Sequence, residues 1–149
     1  MTFTFRHAAI GLALTLAAGF AAAQATPAGL WKTVDDNTRK EKSLVRITEA
    51  GGVFTGKVEK VIDPDSPKDA VCKDCSDDRK DKPVLGMTII RNAKPVADDK
   101  AVFEGGDILD PNNGKVYRLR LKLMDDGKNL EVRGYIGPFF RNQTWQRVE

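Results

Sequence analysis

Histidine is almost missing from this chain: among 149 residues only His7 is one. That residue sits in a stretch patterned like an export signal. Arg6 and His7 precede an apolar run from Ala8 to Ala23, broken only by Thr15. Ala23-Gln24-Ala25 then supplies a small-x-small cleavage pattern. Cleavage after Ala25 is therefore expected, and residues 26–149 carry no imidazole. That shortage excludes a Ser-His-Asp triad, a Cys-His nucleophile, a histidine metal site and a histidine pH switch.

Other shortages narrow the reading further. Past residue 25 no apolar run approaches the ~20 residues of a membrane-spanning helix. No cysteine lies near the cleavage point to carry a lipid anchor. Charge of one sign is also scarce: the formal net charge is +3, and Arg6 is the only formal charge of the leader. So even a balance calls for neither nucleic acid nor an anionic membrane as partner. The expectation is a soluble, exported, periplasmic protein, with an uncleaved leader acting as an anchor as the alternative. Residues 26–149 suit one domain, long enough to bury a core without a metal.

What is present is period-two alternation. From Lys115 to Met124, Tyr117, Leu119, Leu121 and Leu123 share one side, and Arg118, Arg120 and Lys122 share the other. Asn129 to Ile136 repeats the pattern, with Leu130, Val132, Gly134 and Ile136 opposed to Glu131, Arg133 and Tyr135. Asp125-Asp126-Gly127-Lys128 between them signals a hairpin. Asp110-Pro111-Asn112-Asn113-Gly114 joins a strand over Phe103 to Leu109 to Lys115 in the same way. Further strands are expected over Leu30 to Val34, Ser43 to Thr48, Val53 to Ile62, Val84 to Ile90 and Gln143 to Val148. Val84 to Ile90, apolar at both parities, also fits a short helix. About eight strands at this spacing predict an all-β, antiparallel up-and-down barrel. Closure would remove the exposed strand edges.

One connection is not short. Asp63 to Pro83 is rich in charge and proline and holds both cysteines, Cys72 and Cys75. Connections of that length are usually functional or disordered. In an oxidising compartment Cys72-Lys73-Asp74-Cys75 reads as a local disulfide pinning the loop. A redox role would need a depressed thiol pKa, and Asp74, Asp77 and Asp78 act in the opposite direction. Zinc would need four ligands, which one chain reaches only by pooling thiolates with a second copy. The loop carboxylates lack the spacing of a calcium-binding hand, and neighbouring lysines and arginines nearly neutralise them. The sequence implies no cofactor and no bound metal.

Trp31, in Gly29-Leu30-Trp31, stands near one terminus and Trp145 near the other. The pair is expected to plug one end of a small barrel and staple the termini, with Arg147 or Arg133 over an indole face. Direct stacking on a ligand is the alternative. Glu104, Asp107 and Asp110 are the candidate acid–base carboxylates, although Asp110 before Pro111 is already explained as a turn residue. Arg118, Arg120 and Lys122 form a basic strand face that Glu131 offsets, so a solvated outer wall is expected rather than a phosphate patch.

These motifs in combination resemble the exported bacterial domain-of-unknown-function family 2147. They are Gly29-Leu30-Trp31, the Cys72/Cys75 pair, Pro83-Val84-Leu85-Gly86-Met87, Gly105-Gly106-Asp107 through Tyr117, Leu130 through Gly137, and Gln143-Thr144-Trp145. The resemblance covers essentially all of residues 26–149 and implies a lipocalin-like barrel. It brings no assigned catalytic or binding residue. A barrel of eight strands is just wide enough to be filled by side chains or to hold one small ligand. The leading expectation is thus a non-enzymatic protein holding a small, largely apolar molecule at the barrel mouth through Trp31, Tyr117, Tyr135, Phe139, Phe140 and Trp145. Phe139 and Phe140 are expected in a turn, where one must be exposed. The alternatives are a filled-core module contacting an envelope protein, and a hydrolase using Glu104 or Asp110.

Overall fold

A computed structural model describes residues 25–149. The expected export segment lies outside the described residues. The chain forms eight antiparallel strands: β1 Gly29–Val34, β2 Glu41–Ala50, β3 Val53–Val61, β4 Thr88–Val96, β5 Asp99–Asp110, β6 Lys115–Met124, β7 Asn129–Ile136 and β8 Phe139–Arg147. Each pairs with its sequence neighbour, and β1 with β8, so the sheet closes as an up-and-down barrel. The expected all-β barrel is therefore the observed one.

Alternation fixes which side chains fill it. In β6, Leu119, Leu121 and Leu123 are buried while the residues between them face out, and in β7 Leu130 and Val132 do the same. Cross-strand register sets Leu121 opposite Val132 and Leu130 opposite Trp145. Such inward pairs are the unit of sheet stability. Phe54 and Phe103 meet edge-to-face, 5.0 Å between centroids. Trp31, Val45, Ile47 and Ile90 complete a core without exposed surface.

Two strands differ from expectation. β4 runs Thr88–Val96, not Val84 to Ile90. Gly86, at φ 82°, turns the chain before the strand starts, and Val84 donates its N–H to Ala70 O instead of entering the sheet. The strand then runs on through Asn92, at φ 60°, and Pro95, two residues that read as strand breakers. β8 begins at Phe139, not Gln143. The turn is only Gly137-Pro138, so Phe139 and Phe140 lie in a strand, paired with Ile136 and Tyr135.

The connections after β1, β3, β5 and β7 gather at one end, the mouth. The start of β1 and the end of β8 lie at the other end. There Arg147 is 4.2 Å from the Trp31 ring centroid and donates to the carbonyls of Thr26, Ala28 and Gly127. Gly29, at φ 141°, opens β1 where a Cβ would lie 2.5 Å from Glu149 O. Only glycine fits there, and its absence of a side chain lets Glu149 pass against the start of β1.

Candidate functional site

The inward side chains change character along the barrel. Toward the closed end they are bulky and apolar. Toward the mouth the same parity carries Thr33, Ser43, Tyr117, Gln143 and Arg141. The bulky layer stops at Trp145, and above it lies a cavity of about 250 Å³. Trp145 and Val132 floor it, Val45, Val58 and Ile89 wall it, and Tyr117 stands near the mouth.

The roof comes from the connection 62–87, which folds back across the mouth as a flap. Ser66, Ala70 and Val84 of this flap line the cavity. Its first residues, Ile62 and Asp63, donate their N–H groups to Lys42 O, and Gly86 donates to Val58 O. In between, Val71 bridges Pro83, and Cys72 and Cys75 form a disulfide. Both sulfur-bearing residues are buried, with Cys72 Sγ 3.6 Å from Pro111 O, a contact and not a hydrogen bond because a disulfide sulfur carries no proton. Gly114, at φ 70°, lets this turn sit on the β5–β6 connection, since a Cβ there would lie 2.0 Å from Asp74 O.

Charge fixes the flap further. Arg79 is buried, donates Nη1 to Thr88 O at 3.0 Å, and forks onto Asp77. The Arg79 side chain and the Arg79 N–H hold the Asp77 carboxyl down to about 2. A carboxyl depressed on folding contributes stability above its ordinary pKa and loses it as pH falls through the folded value. The Asp77–Arg79 grip should therefore hold above pH ~4 and fail between pH ~4 and ~2. Pepsin is expected to nick the flap progressively across that window, and the Asp77→Asn variant already at its upper end. Equal cleavage of both proteins at pH ~4 would show that this pair does not hold the flap.

At the rim, the cations are matched by carboxylates. Lys42 bonds the buried Asp63, whose carboxyl it holds below the ordinary value, aided by the Asp65 N–H. Arg141 on β8 binds Asp36 through Nε at 2.9 Å and reaches Asp35 at 3.5 Å. These bonds span a gap in the wall: β1 and β8 are in register only at Trp31–Arg147 and Lys32–Gln146. Arg141 lowers the Asp36 carboxyl, and the Thr38 N–H is the main cause of the same shift at Asp35.

Of the expected ligand-contacting residues, Tyr117 and Trp145 line the cavity. Trp31 is buried at the closed end beneath Arg147. Tyr135 and Phe140 are neighbours on the outer wall, 5.9 Å apart, with Arg118 and Arg133 over the Tyr135 ring and Arg133 also over Phe140. Phe139 protrudes at the rim, 74% exposed. Glu104 is held on the outer wall by Arg120 at 3.2 Å, whereas Asp110 caps its own turn by accepting the Asn112 N–H. Positions 104 and 110 on one strand are about 20 Å apart, too far for a carboxylate pair. Asp107 Oδ1 is buried without a hydrogen-bond partner among the described residues. Nor do three or more His, Cys, Asp or Glu side chains gather there in a metal-holding group. No helix among those residues is long and apolar enough to cross a membrane. Sequence reasoning passes over Gln143, Thr33 and Ser43. Each is a polar residue two positions from an inward core residue, and that parity is the available signal.

An eight-stranded up-and-down barrel, closed at one end by a tryptophan-arginine plug and hollow at the other, is a lipocalin-like barrel. The chain belongs to the family described as uncharacterized protein conserved in bacteria (DUF2147), whose model matches residues 29–147. Its fold is similar to a solved structure of protein HP1028 from Helicobacter pylori, described as belonging to the lipocalin family. The TM-score is 0.71, with 21% identity over 84% of each chain. No curated protein matches the chain.

Proposed function

We propose that this protein is a periplasmic, non-enzymatic binding protein that holds a small, largely apolar molecule in its barrel. The observation that carries the reading is the cavity between Trp145 and the flap, where a barrel of this size could equally have been filled by side chains. At about 250 Å³ it falls below the ~300–1,000 Å³ of pockets for drug-sized ligands. Its occupant is thus one ring system or a short alkyl segment, with anything longer passing out through the mouth. Export is supported by the leader pattern over residues 1–25 and by the disulfide, a bond that persists in oxidising compartments.

The uncharged dye N-phenyl-1-naphthylamine tests the reading, because Trp145 would transfer excitation to a dye bound above it. Binding should be saturable, and native mass spectrometry of gently purified protein should show a co-purifying small molecule. Val132→Trp fills the cavity from its floor and is expected to weaken dye binding at least ~10-fold, for an overpacking cost of about 1–3 kcal/mol. Undiminished dye binding by that variant would place the dye elsewhere and defeat the proposal. A second reading, a module that contacts an envelope protein, is favoured by one feature: the exposure of Phe139 and Phe140 beside the mouth.

A further inference from the structure

We infer that Gln143 selects the occupant of this cavity, and that the ligand is an amphiphile whose polar end is an uncharged hydrogen-bond acceptor such as a ketone, ester or amide carbonyl. The inference rests on the cavity-binding reading above and deepens it.

The indole N–H of Trp145 can only donate, and its partner is Gln143 Oε1 at 3.0 Å. That contact decides which end of the amide points where. The oxygen faces the floor indole, so the NH2 group is left on the other side of a residue that lines the cavity. Among the described residues, Gln143 Nε2 donates to no protein acceptor, so it is free to meet an acceptor on a ligand in the cavity. Tyr117 adds a second donor: its oxygen accepts from Asn113 Nδ2 at 3.0 Å, which leaves its own proton free. Ser43 and Thr33 stand on the facing strands, with the Thr33 hydroxyl already accepting the Ser43 N–H.

The charged residues argue against an acid. A free carboxylate would need an unmatched cation, and both cations lining the cavity are bound to carboxylates, Lys42 to Asp63 and Arg141 to Asp36. A bare anion would have to displace one of those partners and lose its own hydration. An alkylammonium would meet the NH2 of Gln143, donor against donor. The two carboxylates lining the cavity are already engaged, Asp35 by the Thr38 N–H and Arg141, and Asp110 by the Asn112 N–H. A neutral carbonyl avoids both penalties, with its chain against Val45, Val58 and Val132 over the Trp145 ring.

Competition for the bound N-phenyl-1-naphthylamine by 2-octanone, octanoate and octylamine, with the full chain, tests this choice. 2-Octanone should compete best, by about tenfold over octanoate, roughly the worth of one hydrogen bond in such a site. Gln143→Glu is the informative variant. It keeps an oxygen for the Trp145 N–H, so the floor stays satisfied, but it replaces the free donor with an acceptor. With the dye affinity measured separately for each protein, the variant should lose the ketone preference, and octylamine should become the best competitor. Octanoate outcompeting 2-octanone, or an unchanged ketone preference in Gln143→Glu, would overturn the inference while leaving the binding reading intact. Failure of the wild-type chain to bind the dye or any competitor would overturn both.

Discussion

Arg147→Ala is expected to destabilise the barrel by about 3 kcal/mol, an unusually large loss for a charged residue at a chain end. The guanidinium is a structural plug. It covers the Trp31 ring at 4.2 Å and supplies the hydrogen bonds of three carbonyls, those of Thr26, Ala28 and Gly127. Alanine would leave those acceptors short of donors at roughly 1–3 kcal/mol each, reduced where the segment before β1 can fray into water. It would also uncover an indole that is otherwise without exposed surface. Burial pushes the Arg147 pKa down, yet arginine stays charged throughout the working range, so the effect should not depend on pH. Arg147→Lys should restore little, because an ammonium neither stacks as a plane nor forks to several carbonyls. Trp31→Ala should cost about 3–5 kcal/mol. The double variant should cost less than the two single changes together, because each removes the same stack. Urea midpoints followed by circular dichroism decide the matter. An Arg147→Ala midpoint equal to that of the parent would reduce the plug to decoration.

That plug is legible in the sequence, and the reason is physical. A tryptophan two residues into the first strand and an arginine at the end of the last lie side by side where the barrel closes, and Trp31 pairs with Arg147 there. Trp145, expected in the same plug, lines the cavity instead. The strand count is equally legible, because alternation in β6 and β7 follows directly from burial on one face. What alternation cannot convey is where a strand starts when its first residues are exposed on both faces. Phe139 and Phe140 at the rim read as a turn for that reason, although they pair with Ile136 and Tyr135. β4 misleads in the opposite way. Val84 and Leu85 look like strand residues, but Gly86 turns the chain and the flap keeps them.

The site is half legible. Aromatic identity points to six residues, of which Tyr117 and Trp145 line the cavity. Tyr135 fails on parity, since it alternates with Gly134 and Ile136 and so faces outward with Arg118 and Arg133. Counting parity from Trp145 instead of choosing aromatics selects Gln143 and passes over Tyr135. The roof is out of reach for a different reason. A flap is positioned by contacts distant in sequence, such as Cys72 on Pro111 and Gly114 under Asp74, and no local pattern encodes these. The long connection can be recognised as special, but not placed.

Removing the flap's crosslink is the second large effect. Cys72→Ala with Cys75→Ala should lower stability by roughly 2 kcal/mol, the value the chain-entropy relation gives for so short a ring. The more telling consequence is local. The barrel strands pair without this bond, since closure runs through β1 and β8, although Cys72 and Cys75 are themselves buried at the mouth end of the core. The flap does depend on it, because the disulfide is what seats residues 72–75 on the β5–β6 turn. Amide hydrogen exchange should therefore accelerate in residues 63–87, while β6 and β7 keep their protection. Without a fixed roof, N-phenyl-1-naphthylamine should bind several-fold more weakly and leave faster. Reducing agent applied to the parent should reproduce both changes, because the flap responds to loss of the bond and not to the substituted side chains. Two results would count against the argument. Exchange that accelerates equally in every strand would make the disulfide a clamp on the whole barrel. Unchanged exchange over 63–87 would mean that Arg79, Asp77 and the Val71–Pro83 bridge hold the roof without it.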